Sequence, residues 1–498
     1  MKKDKNFAVN FKKGAVAVYL FILTFVFMMQ SPLCIWRPYG ETGTDSSVFK
    51  TVALYMEKGF MPYKDIFDHK GPLIYLYNYI GLKIEYWRGI WIIEFISLMI
   101  TFLLIYKIER LICNRVYACL TLLIVSAPLY YYFESGNLTE EYALPFITAA
   151  LFIFCDYFLN DKINSFRLLL CGFSFAAVCL LRVNMITVWV VFCIGVLVKC
   201  IQEKREKVLI RYIIWFVIGA VLLMLPIIIW LVFNGAFGDF IKDYIIFNQT
   251  YTNKDSAPLS SKIEAFISFI NNTEILIAVL TSCYLAYKKR DLFHIIYFAY
   301  ALTSFLFICM SGMLYQHYAM VLVPMISYLY AKIFQLGERN EDNFSNTSNI
   351  VIIYLLTTLA FPLWLNGVNH AVSTYYTRDD NREWNGTTTN VVKYVVDHTD
   401  EEDRIVVWGN WDIIYARSKR LCSSKYSYVY PIAWVDEKIF PQYYQELREN
   451  KPKLIITKDG MDLTMQKFIE ENGYFQADII DNMVSIYTIN EANLADDN

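Results

Sequence analysis

Ionisable residues gather in a few short stretches of the 498-residue chain that are otherwise apolar and aromatic. ETGTDSSVF supplies Glu41 and Asp45, and YKDIFDHKGPLIY supplies Asp65, Asp68, His69 and Lys70. FESGNLTEEYALPF supplies Glu134, Glu140 and Glu141, LLRVNM supplies Arg182 and Asn184, and GMLYQHYAMVLVP supplies Gln316, His317 and Tyr318. Carboxylates beside a Lys, an Arg and a His offer both a base and a cationic seat for a phosphate. That equipment suits transfer from a phosphorylated donor: a carboxylate takes the proton of an acceptor hydroxyl while the cations stabilise charge building on the leaving phosphate. Plainer roles compete. Asp45 also fits a solvated carboxylate or a helix N-cap, Lys70 a side chain snorkelling to an interface, Arg182 a lipid-headgroup contact and His317 a hydrogen-bonded structural histidine.

The elements that must position these groups read as membrane helices. A spanning helix needs roughly 20 mostly apolar residues, because lipid offers its backbone no partner. Eleven stretches qualify, near 14–35, 89–106, 116–133, 141–159, 168–181, 184–198, 212–233, 274–287, 292–310, 318–334 and 350–367. With the N-terminus inside, 20 Lys and Arg fall on the inner side and 11 on the outer, which predicts a cytoplasmic N-terminus. The odd number of spans then places the C-terminal segment outside, and the chemistry-bearing stretches fall at the outer face. An outer face has no nucleotide supply, so the expected donor is a lipid phosphate. Two outer loops are long, 36–88 and 234–273. Within the first, residues 72–84 are apolar but too short to span, which predicts an interfacial or re-entrant helix. The second reads as partly helical.

Charge divides the chain in the same place. The net charge of −2 hides an uneven split: residues 371–498 hold 14 Lys+Arg and 22 Asp+Glu, and the rest of the chain 31 and 25. With 56 % hydrophobic and 18 % charged residues, this excludes a single soluble globule, a disordered chain and a fibrous protein. An acidic soluble part also argues against nucleic acid as a partner. The expected domains are therefore 1–370, in the membrane, and 371–498, a small α/β domain. Its predicted elements are an amphipathic helix at 388–398, strands at 404–409 and 453–457, helices at 435–449 and 462–472, and two strands within 475–489. The 11 Cys form no CxxC and no His/Cys cluster, so neither a zinc site nor a disulfide framework is indicated.

TDSSVF followed by GFMPYKDIFDHKGPLIY resembles the first external loop of the GT-C membrane glycosyltransferases, which include bacterial relatives of protein O-mannosyltransferases and of the aminoarabinose transferase of lipid A. LLRVNM resembles the Arg-Pro-Asn turn of that superfamily, with Val183 in place of Pro, and YQHYAMVLVP resembles its HY-plus-Pro segment. DHKGP replaces the usual double proline with Gly71-Pro72. The resemblance implies a GT-C-like helical membrane fold of about 11 spans with an extracytoplasmic α/β domain. It also implies roles: Asp45 as catalytic base, Lys70 at the donor phosphate with Arg182 and His317, and either Glu140 or Glu141 orienting the acceptor or a divalent metal. Asp68, His69, Asn184 and Tyr318 are additional candidates. Metal dependence is left open.

The expected function is transfer of a sugar from a polyprenyl-phosphate donor to a cell-surface acceptor at the outer face of a cytoplasmic membrane. One carboxylate acting as base gives a single in-line attack and hence inversion. The Ile, Lys, Asn and Tyr-rich usage points to an AT-rich bacterial genome. The competing readings are a transporter or flippase of lipid-linked sugars, a polysaccharide polymerase or ligase, and a non-catalytic membrane scaffold. A transporter predicts polar residues through the membrane thickness and repeated halves, whereas here, Glu94 and Asp156 apart, the charges gather near the span ends.

Overall fold

The computed structural model describes residues 2–34, 36, 43–86, 88–254, 258–338, 343–376, 386–458 and 460–489. Glu41 lies outside the described residues. The fold is mostly helical with one small sheet near the C-terminus. Among the described residues six helices are long and apolar enough to cross a membrane: Gly89–Glu109, Thr139–Asn160, Glu206–Phe233, Leu292–Met310, Gln316–Leu336 and Thr347–Ser373. A seventh span arises if Leu259–Ile270 and Thr273–Lys289, bent by 89°, count as one. Of the other expected stretches, 168–181 and 184–198 form helices of 15 and 16 residues, Ser165–Cys179 and Thr187–Gln202. The stretch at 116–133 is interrupted at Ala127-Pro128, which separates Arg115–Ser126 from Leu129–Tyr132.

The chain forms two compact units. The first comprises Met1–Trp36, Trp91–Ile227 and Ser256–Tyr376. Thr139–Asn160 and Gln316–Leu336 are its most buried spans, each 78 % buried over its apolar stretch, against 17 % for Glu206–Phe233, whose Ile, Leu and Val side chains face outward as lipid-facing residues do. A Cβ on Gly172 would come within 1.8 Å of the Phe216 carbonyl oxygen, and one on Gly219 within 2.0 Å of that of Leu169. These two glycines let Ser165–Cys179 approach its neighbour backbone to backbone.

The second unit comprises Arg37–Ile90, Ile228–Asp255 and Thr377–Asn498. The predicted short apolar helix is present as Pro72–Ile84, with Pro72 at the first helical position, where its missing N–H costs nothing. Within the second long loop, Phe237–Phe240, a π-helical turn Ile241–Ile246 and Phe247–Lys254 bear out the partly helical reading.

The sheet has strands β1 (Arg404–Trp408), β2 (Leu421–Cys422), β3 (Leu454–Thr457), β4 (Tyr474–Ile480) and β5 (Val484–Ile489), in the order β2-β1-β3-β5-β4. β1 runs parallel to β2 and β3, with Ile405 opposite Leu454, while β5 is antiparallel to β3 and β4. β3 is buried throughout and β1 nearly so, as suits central strands covered on both faces. The amphipathic helices Thr387–His398, Ile439–Asn450 and Leu463–Glu471 match the predicted ones to within a few residues.

Candidate functional site

The predicted site residues fall into two clusters, one inside each unit. In the second unit, Asp45 occupies the first turn of Thr44–Glu57, where the helix dipole favours a carboxylate. Its side chain is 49 % exposed, and the Lys70 ammonium lies 4.0 Å away. Lys70 is only 14 % exposed, and its Nζ is 3.0 Å from His69 Nε2. The sequence DHK thus places a shielded cation beside an open acid.

Asp68 is buried and does not face solvent. It accepts hydrogen bonds from the Tyr75 and Tyr428 hydroxyls, each at 2.8 Å, and from the His69 amide, also at 2.8 Å. Burial raises its carboxyl above the ordinary value, opposed by Lys70 and these donors. Tyr63, in a left-handed conformation with φ of 68°, donates to the Lys70 carbonyl at 2.7 Å, and the Tyr75 hydroxyl accepts the Lys70 amide at 3.2 Å. The His69 carbonyl accepts from Asn248 at 2.7 Å. Asp65 serves the turn itself, accepting the Met61 amide at 2.7 Å.

The C-terminal segment packs on this loop. The Phe67 amide donates to the Lys425 carbonyl at 2.8 Å, the Thr51 hydroxyl to the Asp412 carbonyl at 3.1 Å, and the Cys422 amide to the Tyr55 hydroxyl at 3.0 Å. Asp412 is fully buried, with only the Ser427 hydroxyl and its own amide to oppose the cost of burying its charge. Burial, with the charge of Asp68 adding to it, pushes its carboxyl up to about 7. A pocket of about 590 Å³ in the same segment is lined by Tyr430, Ala433, Trp434, Glu437 and Phe440, and holds none of the predicted residues.

In the first unit the FESGNLTEE turn is built on three left-handed residues, Glu134, Gly136 and Asn137, of which Gly and Asn adopt that conformation readily. The turn separates the roles of its acids. Glu140 is buried and pairs with the Arg182 guanidinium, and it accepts the Thr139 hydroxyl at 2.8 Å. Arg182 also donates to the Tyr318 hydroxyl at 3.1 Å, with its guanidinium carbon 4.7 Å from the centre of that ring. Glu141 turns instead toward Glu94: the Asn137 amide is 2.9 Å from Glu141 and 2.5 Å from Glu94. Glu134 pairs with His317, at 2.9 Å from Nδ1, and His317 holds the Glu134 carboxyl below the usual range. Tyr315 stacks on His317 with ring centres 5.5 Å apart. Asn184 is exposed on the turn Val183–Met185.

The structure thus joins Glu140, Arg182 and Tyr318 in one cluster, with His317 against Glu134 and the edge of the Tyr318 ring. Asp45, Asp68, His69 and Lys70 form the other cluster. Sequence reasoning passed over Tyr63, Tyr75, Tyr428 and Asp412. Asp412 carried a usable signal, an acid inside the apolar run WDIIY. The tyrosines carried none, being three of 38.

Among the described residues no group of three His, Cys, Asp or Glu side chains is placed to hold a metal ion. The model of the competence-induced protein Ccs4 N-terminal domain family matches residues 2–378. No curated protein matches the chain in sequence. Among solved structures, ArnT from Cupriavidus metallidurans bound to undecaprenyl phosphate is similar with a TM-score of 0.61 at 9 % identity, over 98 % of this chain and 99 % of that one. The Archaeoglobus fulgidus oligosaccharyltransferase tethered to an acceptor peptide aligns with a TM-score of 0.52 at 11 % identity, over 96 % and 74 %. The same organism's AglB, in complex with an inhibitory peptide and a dolichol-phosphate, aligns with a TM-score of 0.51 at 11 % identity, over 96 % and 75 %. The chain has the fold of the GT-C glycosyltransferases, as the first-loop residues led one to expect, and is a multi-pass membrane protein.

Proposed function

Since the chain belongs to the competence-induced protein Ccs4 N-terminal domain family and has a GT-C fold, we propose that it is a glycosyltransferase using a polyprenyl-phosphate-linked sugar. The observation that carries this reading is the exposed Asp45 carboxylate 4.0 Å from the shielded Lys70 ammonium. The likeness to ArnT, whose structure holds undecaprenyl phosphate, supports a lipid-phosphate donor.

In this mechanism Asp45 takes the proton of an acceptor hydroxyl. The freed oxygen attacks the anomeric carbon, the bond from that carbon to the phosphate oxygen breaks, and the lipid phosphate leaves with the electron pair. One base and one in-line displacement invert the anomeric centre. Lys70, Arg182 and His317 are assigned to the donor phosphate. Glu140 fixes Arg182 through their ion pair, and Tyr318 orients the guanidinium; an acceptor-orienting role falls to Glu140 before Glu141, which is engaged with Glu94. No step is assigned to a metal ion.

The inner-side excess of Lys and Arg supports a cytoplasmic N-terminus; with the odd count of about eleven spans expected from the apolar stretches, residues 371–498 lie outside, hence a cell-surface acceptor. The test is turnover of undecaprenyl-phosphate-linked sugars by the purified protein in proteoliposomes. Asp45→Asn should lower transfer by about a hundredfold or more while leaving undecaprenyl phosphate binding intact. Near wild-type turnover at equal expression would remove Asp45 as the base.

A further inference from the structure

We propose that Tyr428, in the C-terminal segment, is a positioning residue for Lys70, acting through Asp68 and His69. The inference rests on the reading that Lys70 holds the donor phosphate.

A buried carboxylate keeps a fixed place only while its oxygens are hydrogen-bonded, because an unmet partner leaves the desolvation cost standing. Asp68, 3 % exposed, meets that demand with three donors: Tyr75 on one oxygen, and Tyr428 and the His69 amide on the other. Tyr428 makes the short side-chain hydrogen bond to its oxygen, and it arrives from 360 residues further along the chain.

Two routes lead from this carboxylate to Lys70. Along the main chain, the Tyr75 hydroxyl spends its proton on Asp68 and uses its lone pair for the Lys70 amide, while Tyr63 holds the Lys70 carbonyl. Along the side chains, His69 Nδ1 lies 3.5 Å from Asp68 and 3.4 Å from the Tyr428 hydroxyl, and Nε2 lies 3.0 Å from the Lys70 ammonium. This network selects the tautomer with the proton on Nδ1, which leaves a lone pair on Nε2 facing the ammonium. The ammonium is thereby aimed from its base to its tip. This is how a ligand's outer partner orients it at a metal, with a phosphate-binding lysine in place of the ligand. The Phe67-to-Lys425 backbone bond and the packing of the Phe67 ring on Tyr426 and Tyr428 hold the two segments of this contact together.

The experiment measures binding of undecaprenyl phosphate to the full-length protein in lipid nanodiscs, for wild type, Lys70→Ala, Tyr428→Phe and the double variant. Tyr426→Phe, which removes a hydroxyl that serves Gln442 at 3.0 Å, is the control. Lys70→Ala should weaken binding about tenfold, and Tyr428→Phe about fivefold with a melting temperature lowered by only a few degrees. In the Lys70→Ala background the Tyr428 substitution should change binding by less than about twofold. If Lys70→Ala weakens binding and Tyr428→Phe does not, or if Tyr428→Phe weakens it equally without Lys70, the positioning role is overturned and the role of Lys70 stands. If Lys70→Ala itself binds like wild type, the reading of Lys70 falls. Should Tyr428→Phe not fold, Asp68→Asn takes its place with the same criteria.

Discussion

Replacing Asp412 by Asn should make the protein more stable at alkaline pH, contrary to the usual effect of substituting a buried residue. Asp412 is 0 % exposed, only the Ser427 hydroxyl and its own amide oppose the cost of burying its charge, and its carboxyl sits near 7 instead of 3.8. Folding therefore takes up a proton at this group between about pH 4 and pH 7. The sign follows from linkage: the folded value is above the unfolded one, so stability from this group is fully present below the unfolded value and is lost as pH rises through the folded value. Carrying the carboxyl from 3.8 to about 7 is worth about 4 kcal/mol at pH 8. Asn has no charge to desolvate but keeps part of the cost of a buried polar group, so the expected net gain is about 2 kcal/mol at pH 8 and about zero or slightly negative at pH 5. The assay is thermal unfolding of the full-length protein in detergent at about pH 5 and about pH 8, followed by tryptophan fluorescence. Asp68 contributes with the same sign in both proteins, so the difference between their pH slopes reports Asp412 together with its coupling to Asp68. Parallel slopes, or a variant less stable than wild type at pH 8, would refute the reasoning.

Two further perturbations concern the first unit. Arg182→Ala leaves Glu140 buried beside an empty space and should destabilise by about 3 to 5 kcal/mol, whereas Arg182→Met combined with Glu140→Gln should regain most of that stability and none of the transfer activity; calorimetry with the proteoliposome assay checks both halves. Gly172→Ala puts a methyl group 1.8 Å from the Phe216 carbonyl oxygen, so the helices must part, at a cost of about 3 kcal/mol or more; a melting temperature equal to wild type would show that the contact is not tight.

The periodic and compositional features were legible in the sequence. The apolar helices, the 13-residue helix too short to span and the strands RIVVW and LIIT each announce themselves through run length and residue type. The shortest elements did not: β2 has two residues and the Ile413–Ser418 helix six, below the window in which periodicity can be read. Of the site, the acids and cations were visible as types, because charge beside apolar stretches is costly and so draws notice. Which acid faces which cation was not visible. Glu140 and Glu141 are adjacent, and a rotation of about 100° along a helix sends one to Arg182 and the other to Glu94. The tyrosine supports of Asp68 were hidden for a different reason, since hydrogen bonds between residues 68 and 428 leave no local pattern.

That separation governs when the Asp45 and Lys70 arrangement comes into being. The loop carrying them leaves the ribosome early, yet the hydroxyl that secures Asp68 follows 360 residues later, and Tyr55 waits 367 residues for Cys422. At translation rates of about 5 to 20 residues per second, the loop spends about 20 to 70 s without its supports. A nascent or prematurely stopped chain already holds every acid and cation of the first loop, with Tyr63 and Tyr75 beside them, but lacks the Tyr428 hydroxyl that completes the set. The order of synthesis thus keeps this cluster incomplete until residue 428 has been made.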